Sequence, residues 1–289
     1  MHATTVTRRP RLRLRFSLRS LLLLMGACAV ALGLWANRAE RQRRAVAAIR
    51  AAGGQVLYDF QATGDQAPYP AWLGSLLPDD YLAELDAVWL PPSATDDHLR
   101  PVGELTSLRR LSLGGTRISE AGLSYLTDLQ DLEELFLDGV RMRGAGLEPT
   151  SAFALERTQG EGGMELSRVA LAHIGELTAL RVLSLRGTIL PEQGLRSLRG
   201  LSALRELDLS YTRIRIGGTW RWLGDTEIER LRDLEQLEFL DLSRSHVSDA
   251  SVTRLVRFKQ LKELMVPNKM SDAGYEQLQW ELPACRVQR

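Results

Sequence analysis

Lysine is nearly missing from this chain: three occur (Lys259, Lys262, Lys269) against 34 arginines, a bias that reads as genome composition and not as function. Cysteine is limited to Cys28, inside an apolar leader, and Cys285, near the C-terminus. That rules out a disulfide framework, and no metal-ligand spacing exists. Histidine is confined to His2, His98, His173 and His246, each isolated. His98 follows "TDD", and His173 falls between core positions of a predicted helix, so surface and packing roles are assigned to them. No nucleophile elbow, phosphate-binding glycine loop or His-Glu-x-x-His occurs. "GEGG" at 160–163 lacks the preceding strand that a phosphate loop requires. The chain is therefore read as a non-enzyme, with no catalytic residue, no cofactor and no metal.

The net charge of +1 hides an asymmetry. Residues 1–51 hold eleven arginines and one acid, Glu40, whereas the remaining 238 residues hold 26 bases and 35 acids. An acidic body excludes nucleic acid as partner, because phosphate contacts need clustered Lys and Arg.

The leader "SLLLLMGACAVALGLWA", Ser20 to Ala36, has no charge over 17 positions, and counted from Phe16 the apolar stretch reaches 21. A bilayer core needs about 20 such residues, and Trp35 sits where an interfacial aromatic is favoured. Residues 18–36 are read as a transmembrane helix or signal anchor behind a basic tail, 1–17. Two rivals are cleavage at Ala29-Val30-Ala31 and lipidation at Cys28. Met25 suits the second poorly, and the apolar residues after Cys28 continue the helix. Six arginines precede the span (Arg8, Arg9, Arg11, Arg13, Arg15, Arg19) and five follow (Arg38, Arg41, Arg43, Arg44, Arg50). By that one charge the positive-inside rule makes this a single-pass protein of the cytoplasmic membrane with its body outside the cytoplasm. Residues 37–54 are expected to form a solvated helical stalk ended by Gly53-Gly54. The alternative for its arginines is contact with anionic headgroups.

Beyond the leader one phrase recurs: "LRRLSLGGTRI" at 108, "LEELFLDGVRM" at 132, "LRVLSLRGTIL" at 180, "LRELDLSYTRI" at 204 and "LEFLDLSRSHV" at 237. First leucines at 85, 108, 132, 180, 204, 237 and 261 give intervals of 23, 24, 48, 24, 33 and 24. The L-x-L alternation predicts a short strand. "SEAGLSYLTDLQDL" at 119–132 predicts a helix opened by Ser119. Neither element buries its apolar face alone, but stacked neighbours do. A period near 24 beginning L-x-x-L-x-L resembles the leucine-rich repeat family, over about Leu76 to Val287, and the T-x-I positions are similar to ribonuclease-inhibitor-like repeats of bacterial membrane-anchored proteins. The resemblance implies an α/β solenoid with a concave parallel sheet and convex helices. It also implies that the hydroxyl column Thr116, Thr188, Thr212 and Ser245 satisfies turning backbone, which Val140 cannot do. Residues 55–84 are read as the N-terminal cap, Trp72 and Leu76 covering the first strand. Residues 85–289 are read as the repeats with a C-terminal cap at 274–287, where Cys285 is a small buried filler.

Outward strand positions then line the concave face. Trp89, Ser112, Phe136, Ser184, Asp208, Asp241 and Met265 are placed in the middle column. Arg110, Glu134, Asp138, Arg186, Glu206, Phe239 and Glu263 are placed beside it. Aromatic anchors ringed by charge are what protein interfaces favour, so Trp89, Arg110, Phe136, Arg186, Glu206, Asp208, Phe239, Asp241 and Met265 are the expected partner contacts. Asp208 and Asp241 are both expected to face solvent. Trp220 and Trp222, in the nine extra residues of the 33-residue interval, either cover the convex side or join that site. The 24 extra residues around 148–165 are a loop or an eroded repeat, and both versions interrupt the sheet. The expected function is a membrane-anchored module that binds a protein. A cytoplasmic-facing scaffold or enzyme inhibitor, a laterally assembling envelope protein and polysaccharide binding through the tryptophans are the alternatives.

Overall fold

A computed structural model describes residues 18–138 and 165–289. The expectations for 1–17, for Val140 and for 148–164 lie outside these residues. The chain opens with one unbroken helix, α1, Leu18–Ala51, of 34 residues. By length and composition it is apolar enough to cross a membrane or to be a signal sequence. Its two halves differ. Residues 22–38 are exposed throughout, whereas Ala39, Gln42, Ala45, Val46 and Ile49 are buried. These lie three and four apart, one face of a helix. The expected solvated stalk is thus a packed cap, because this stretch carries its own apolar stripe among the arginines. Gln42 Nε2 donates to the carbonyls of Asp80 (3.0 Å) and Ala83 (2.8 Å). Arg38 pairs with Glu84 at 3.0 Å, Arg44 with Glu40 at 3.1 Å, and Arg50 reaches Asp80 at 3.8 Å. The arginines of this half are thus drawn to the chain's own acids.

Gly53, at φ +87°, turns the chain into β1 (Gln55–Tyr58), which pairs antiparallel with β2 (Leu85–Trp89). The remaining strands are β3 (Arg110–Ser112), β4 (Glu134–Phe136), β5 (Val182–Ser184), β6 (Ile189–Pro191), β7 (Glu206–Asp208), β8 (Arg213–Ile216), β9 (Thr219–Trp222), β10 (Phe239–Asp241), β11 (Glu263–Met265) and β12 (Arg286–Gln288). From β2 onward, β3, β4, β5, β7, β10, β11 and β12 form one parallel ladder, one strand per repeat. Leu111, Leu135, Leu183, Leu207, Leu240 and Leu264 stack in register and are fully buried. The helical layer on the other side mixes short α-helices with 3-10 turns such as Ser124–Asp128.

The hydroxyl column does what the resemblance implies. Thr116 Oγ1 donates to the Leu113 carbonyl at 2.7 Å, and those of Thr188 (2.5 Å) and Thr212 (3.0 Å) both donate to that of Leu185. A second ladder had no counterpart in the sequence reading. Asp96 accepts from the backbone N (2.7 Å) and Oγ of Ser119 in the next repeat. Asp225 does the same for Ser248 at 2.8 and 2.7 Å, and Asp249 for Ser271 at 2.9 and 2.5 Å. Each serine is the N-cap of its helix, so each aspartate ties one repeat's cap to the repeat before it.

Two expectations are corrected. The sheet is not interrupted by the 48-residue interval: β4 pairs directly with β5, Leu135 opposite Leu183. Trp72 and Leu76 do not cover the first strand but are 65% and 70% exposed, β1 pairing along that strand and α1 packing on the cap in their place. The nine extra residues stand outside the main sheet. They form the β8–β9 hairpin, which joins β6 in a separate three-stranded sheet where the main strands end. At the far end the helix Asp272–Glu281 and β12 close the stack, with Leu278 and Val287 buried. Cys285 is only half-buried there, its thiol pushed up to about 11 by that burial and by nearby Glu263.

Candidate functional site

Parallel pairing builds the concave face as columns. Trp89, Ser112, Phe136, Ser184, Asp208, Asp241, Met265 and Gln288 form one. Ala87, Arg110, Glu134, Val182, Glu206, Phe239, Glu263 and Arg286 form its neighbour. Asp138 and Arg186 do not stand in that neighbour, contrary to expectation. They follow the second core leucine of their repeats, Leu137 and Leu185, and occupy a third column with Ser210 and Ser243. Val182 fills the place that Arg186 had been given.

The first and third columns together carry the site's electrostatics. Arg186 is 7% exposed, Asp138 4% and Asp208 8%. Asp208, expected to face solvent, is thus nearly covered, whereas Asp241 is half-exposed. Asp138 accepts from Ser184 Oγ. Burial pushes its carboxyl up to about 6, against the pull of Ser184 and Arg186. Asp208 accepts from the Ser210 backbone at 2.8 Å and stands 3.8 Å from an Arg186 guanidinium nitrogen. Burial, and then the charge of Asp241 on the next strand, raise it to about 7. Asp241 accepts from the Ser243 backbone at 2.7 Å. Among the described residues, Arg186 Nε is buried without a hydrogen-bond partner.

Two further residues were missed. In the position before the hydroxyl column, Gly115 and Gly187 take φ +68°, and Tyr211 (+57°) and Arg244 (+59°) take the same left-handed backbone. That conformation costs an ordinary side chain roughly 1–2 kcal/mol. Both side chains gather at the rim beside the aspartates: the Arg186 guanidinium lies 4.9 Å and that of Arg244 6.0 Å from the Tyr211 ring. The sequence signal was the loss of glycine from "GT" in "YT" and "RS".

The other expected contacts divide. Arg110 is occupied, its Nε donating to Asp86 at 2.8 Å. Trp89, Phe136, Phe239 and Met265 are half-buried and Glu206 is exposed. Trp220 and Trp222 are not on the concave sheet. Trp220 is 54% exposed, its ring 4.7 Å from the Arg213 guanidinium and 6.1 Å edge-on from Trp222. The base of that hairpin is clamped by buried Glu227, which holds Arg230 at 2.7 Å and Arg221 at 3.0 Å. His246 lies 6.4 Å from Trp222, and its backbone N donates to the Leu223 carbonyl at 2.7 Å. Nδ1 of His98 accepts from the Thr95 backbone at 3.1 Å in a helix cap.

A leucine-rich repeat solenoid is what one parallel strand per 24-residue phrase, a stacked leucine core and a hydroxyl-satisfied turn define. No family model matches the chain, and no curated protein does. Solved structures are similar to it. Internalin C2 of Listeria monocytogenes is 19% identical over 83% of this chain and 81% of its own, with a TM-score of 0.46. A leucine-rich repeat protein of Leptospira interrogans is 18% identical over 74% of this chain and 51% of its own, with a TM-score of 0.41. Listeria internalin F is 16% identical, covering 65% and 63%, with a TM-score of 0.31.

Proposed function

We propose that this chain is a membrane-anchored interaction module whose concave face binds a protein partner, receiving a basic side chain at Asp208 and Asp241. The observation that carries the reading is the strained pair Tyr211 and Arg244, side chains held where neighbouring repeats use glycine. Strain of this kind persists where it serves a purpose. These residues border two carboxylates on adjacent strands that repel one another. A cation supplied by the partner relieves that repulsion. Phe239 and Met265, half-buried beside Asp241, offer apolar contact of the kind that anchors interfaces. The anchor in this reading is residues 18–36, and the arginine count around it favours a body outside the cytoplasm.

The test is selection from a displayed random-peptide library against the full-length protein, alongside Asp241→Asn and Tyr211→Gly. Asparagine keeps the shape of the acid and removes its charge. Enrichment of Lys- and Arg-containing peptides that fail to bind either variant is expected. Peptides that bind both variants as well as they bind the parent would refute the concave-face reading.

A further inference from the structure

Helix α1 and strand β1 run in opposite directions around the Gly53-Gly54 turn, so β1 carries the chain back toward the apolar half of α1. Contacts fix where that return ends. Gln42 donates to the carbonyls of Asp80 and Ala83 at 3.0 and 2.8 Å, and Arg38 meets Glu84 at 3.0 Å. Residues 59–84 therefore lie on the edge of the body from which the apolar helix departs. This is also where the parallel strands begin, because β2 starts at Leu85. At 1.5 Å per residue, Arg38 and Gln42 stand roughly 3 to 9 Å past Ala36 along the axis. A headgroup layer is about 5–8 Å deep on each side of the hydrocarbon. On this edge the structure leaves Trp72 65% and Leu76 70% exposed. They lie on a short segment between Pro70 and Pro78, beside Tyr69, which is packed on the core and donates to Asp79 at 2.5 Å. Tryptophan is a side chain that favours the headgroup level of a bilayer.

We propose that residues 68–77 dock, through Trp72 and Leu76, into the headgroup layer of the same bilayer that α1 crosses. The proposal rests on the anchor reading above. It gives the body a second membrane contact at its N-terminal cap. Trp280 is as bare, 80% exposed, but lies in the distant C-terminal cap and serves as the control.

The experiment uses the full chain with Cys28 and Cys285 replaced by alanine, reconstituted in phosphatidylcholine vesicles. An environment-sensitive fluorophore is attached to a single cysteine at 30, 72, 76 or 280. One set of vesicles carries lipid spin-labelled on the headgroup, another lipid labelled mid-chain. The expected result is quenching of 72 and 76 by the headgroup label, of 30 by the chain label, and of 280 by neither. Quenching at 30 with 72 and 76 as bright as 280 overturns the docking and leaves the anchor standing. Absence of quenching at 30 overturns the anchor, and the docking with it.

Discussion

Replacing Asp208 by asparagine tests whether the acid pair is held at a cost to the fold. The carboxyl of Asp208 is raised to about 7, by burial first and then by Asp241, with the Ser210 backbone bond and Arg186 opposing. An acid raised in the folded state binds its proton more tightly there than in the unfolded chain, where about 3.9 is ordinary. Its ionisation therefore withdraws stability as pH climbs from about 4 to 7. Three pH steps at about 1.4 kcal/mol each set a ceiling of about 4 kcal/mol, shared with Asp241. Asparagine at 208 still accepts from Ser210 and carries no charge. Thermal unfolding of both forms, followed by circular dichroism in detergent, should give nearly equal midpoints at pH 4, where the loss has barely begun. At pH 8 the variant should melt several degrees higher, at about 2–4 °C per kcal/mol. A variant that melts lower at pH 8 would refute the argument, because the Arg186 contact at 3.8 Å would then outweigh the repulsion. The same linkage predicts that a basic peptide binds more tightly at pH 8 than at pH 5.

Three other substitutions probe separate parts of the molecule. Ile49→Ala, at a fully buried position of α1, should cost about 2–5 kcal/mol and expose the 52–54 turn to protease. Unchanged proteolysis would show that the helix does not cap the repeats. Asp225→Ala removes the acceptor of three bonds from Ser248 and Ser251 and should cost about 2 kcal/mol in urea unfolding. Burial alone would raise this carboxyl, but those donors overcome it and hold it low. The deficit should thus persist above pH 4 and shrink as the acid protonates below it, whereas a deficit independent of pH would argue for lost packing. Arg244→Gly relieves a left-handed backbone and should raise stability by about 0.5–1 kcal/mol while weakening peptide capture. A destabilised variant would mean that the side chain serves the fold.

The strand ladder was legible because leucine at every second position has one burial solution once neighbours stack. The cap was not. In 37–54 the arginines obscured Ala45, Val46 and Ile49, whose spacing is the weaker signal in so charged a stretch. Asp138 and Arg186 were misplaced because alternation along one strand does not reveal where the strand ends, and pairing between strands does. Trp72 was taken for a cover because a large apolar residue in a cap usually is one, and only the placement of β1 and α1 shows that the first strand is already covered. The Asp96, Asp225 and Asp249 ladder crosses between repeats, so no local window contains both partners. Tyr211 and Arg244 were visible only as departures from a glycine column, and reading departures requires the column to be aligned first.

The direct pairing of β4 with β5 has a consequence for how such a protein diversifies. Chain that leaves after one strand and returns before the next is free to lengthen without shifting a leucine, since the ladder closes behind it. Tripling such a connection costs only about 1 kcal/mol of closure entropy. Foreign segments grafted at that junction should therefore be tolerated, and natural variants can change what this edge displays without renegotiating the core.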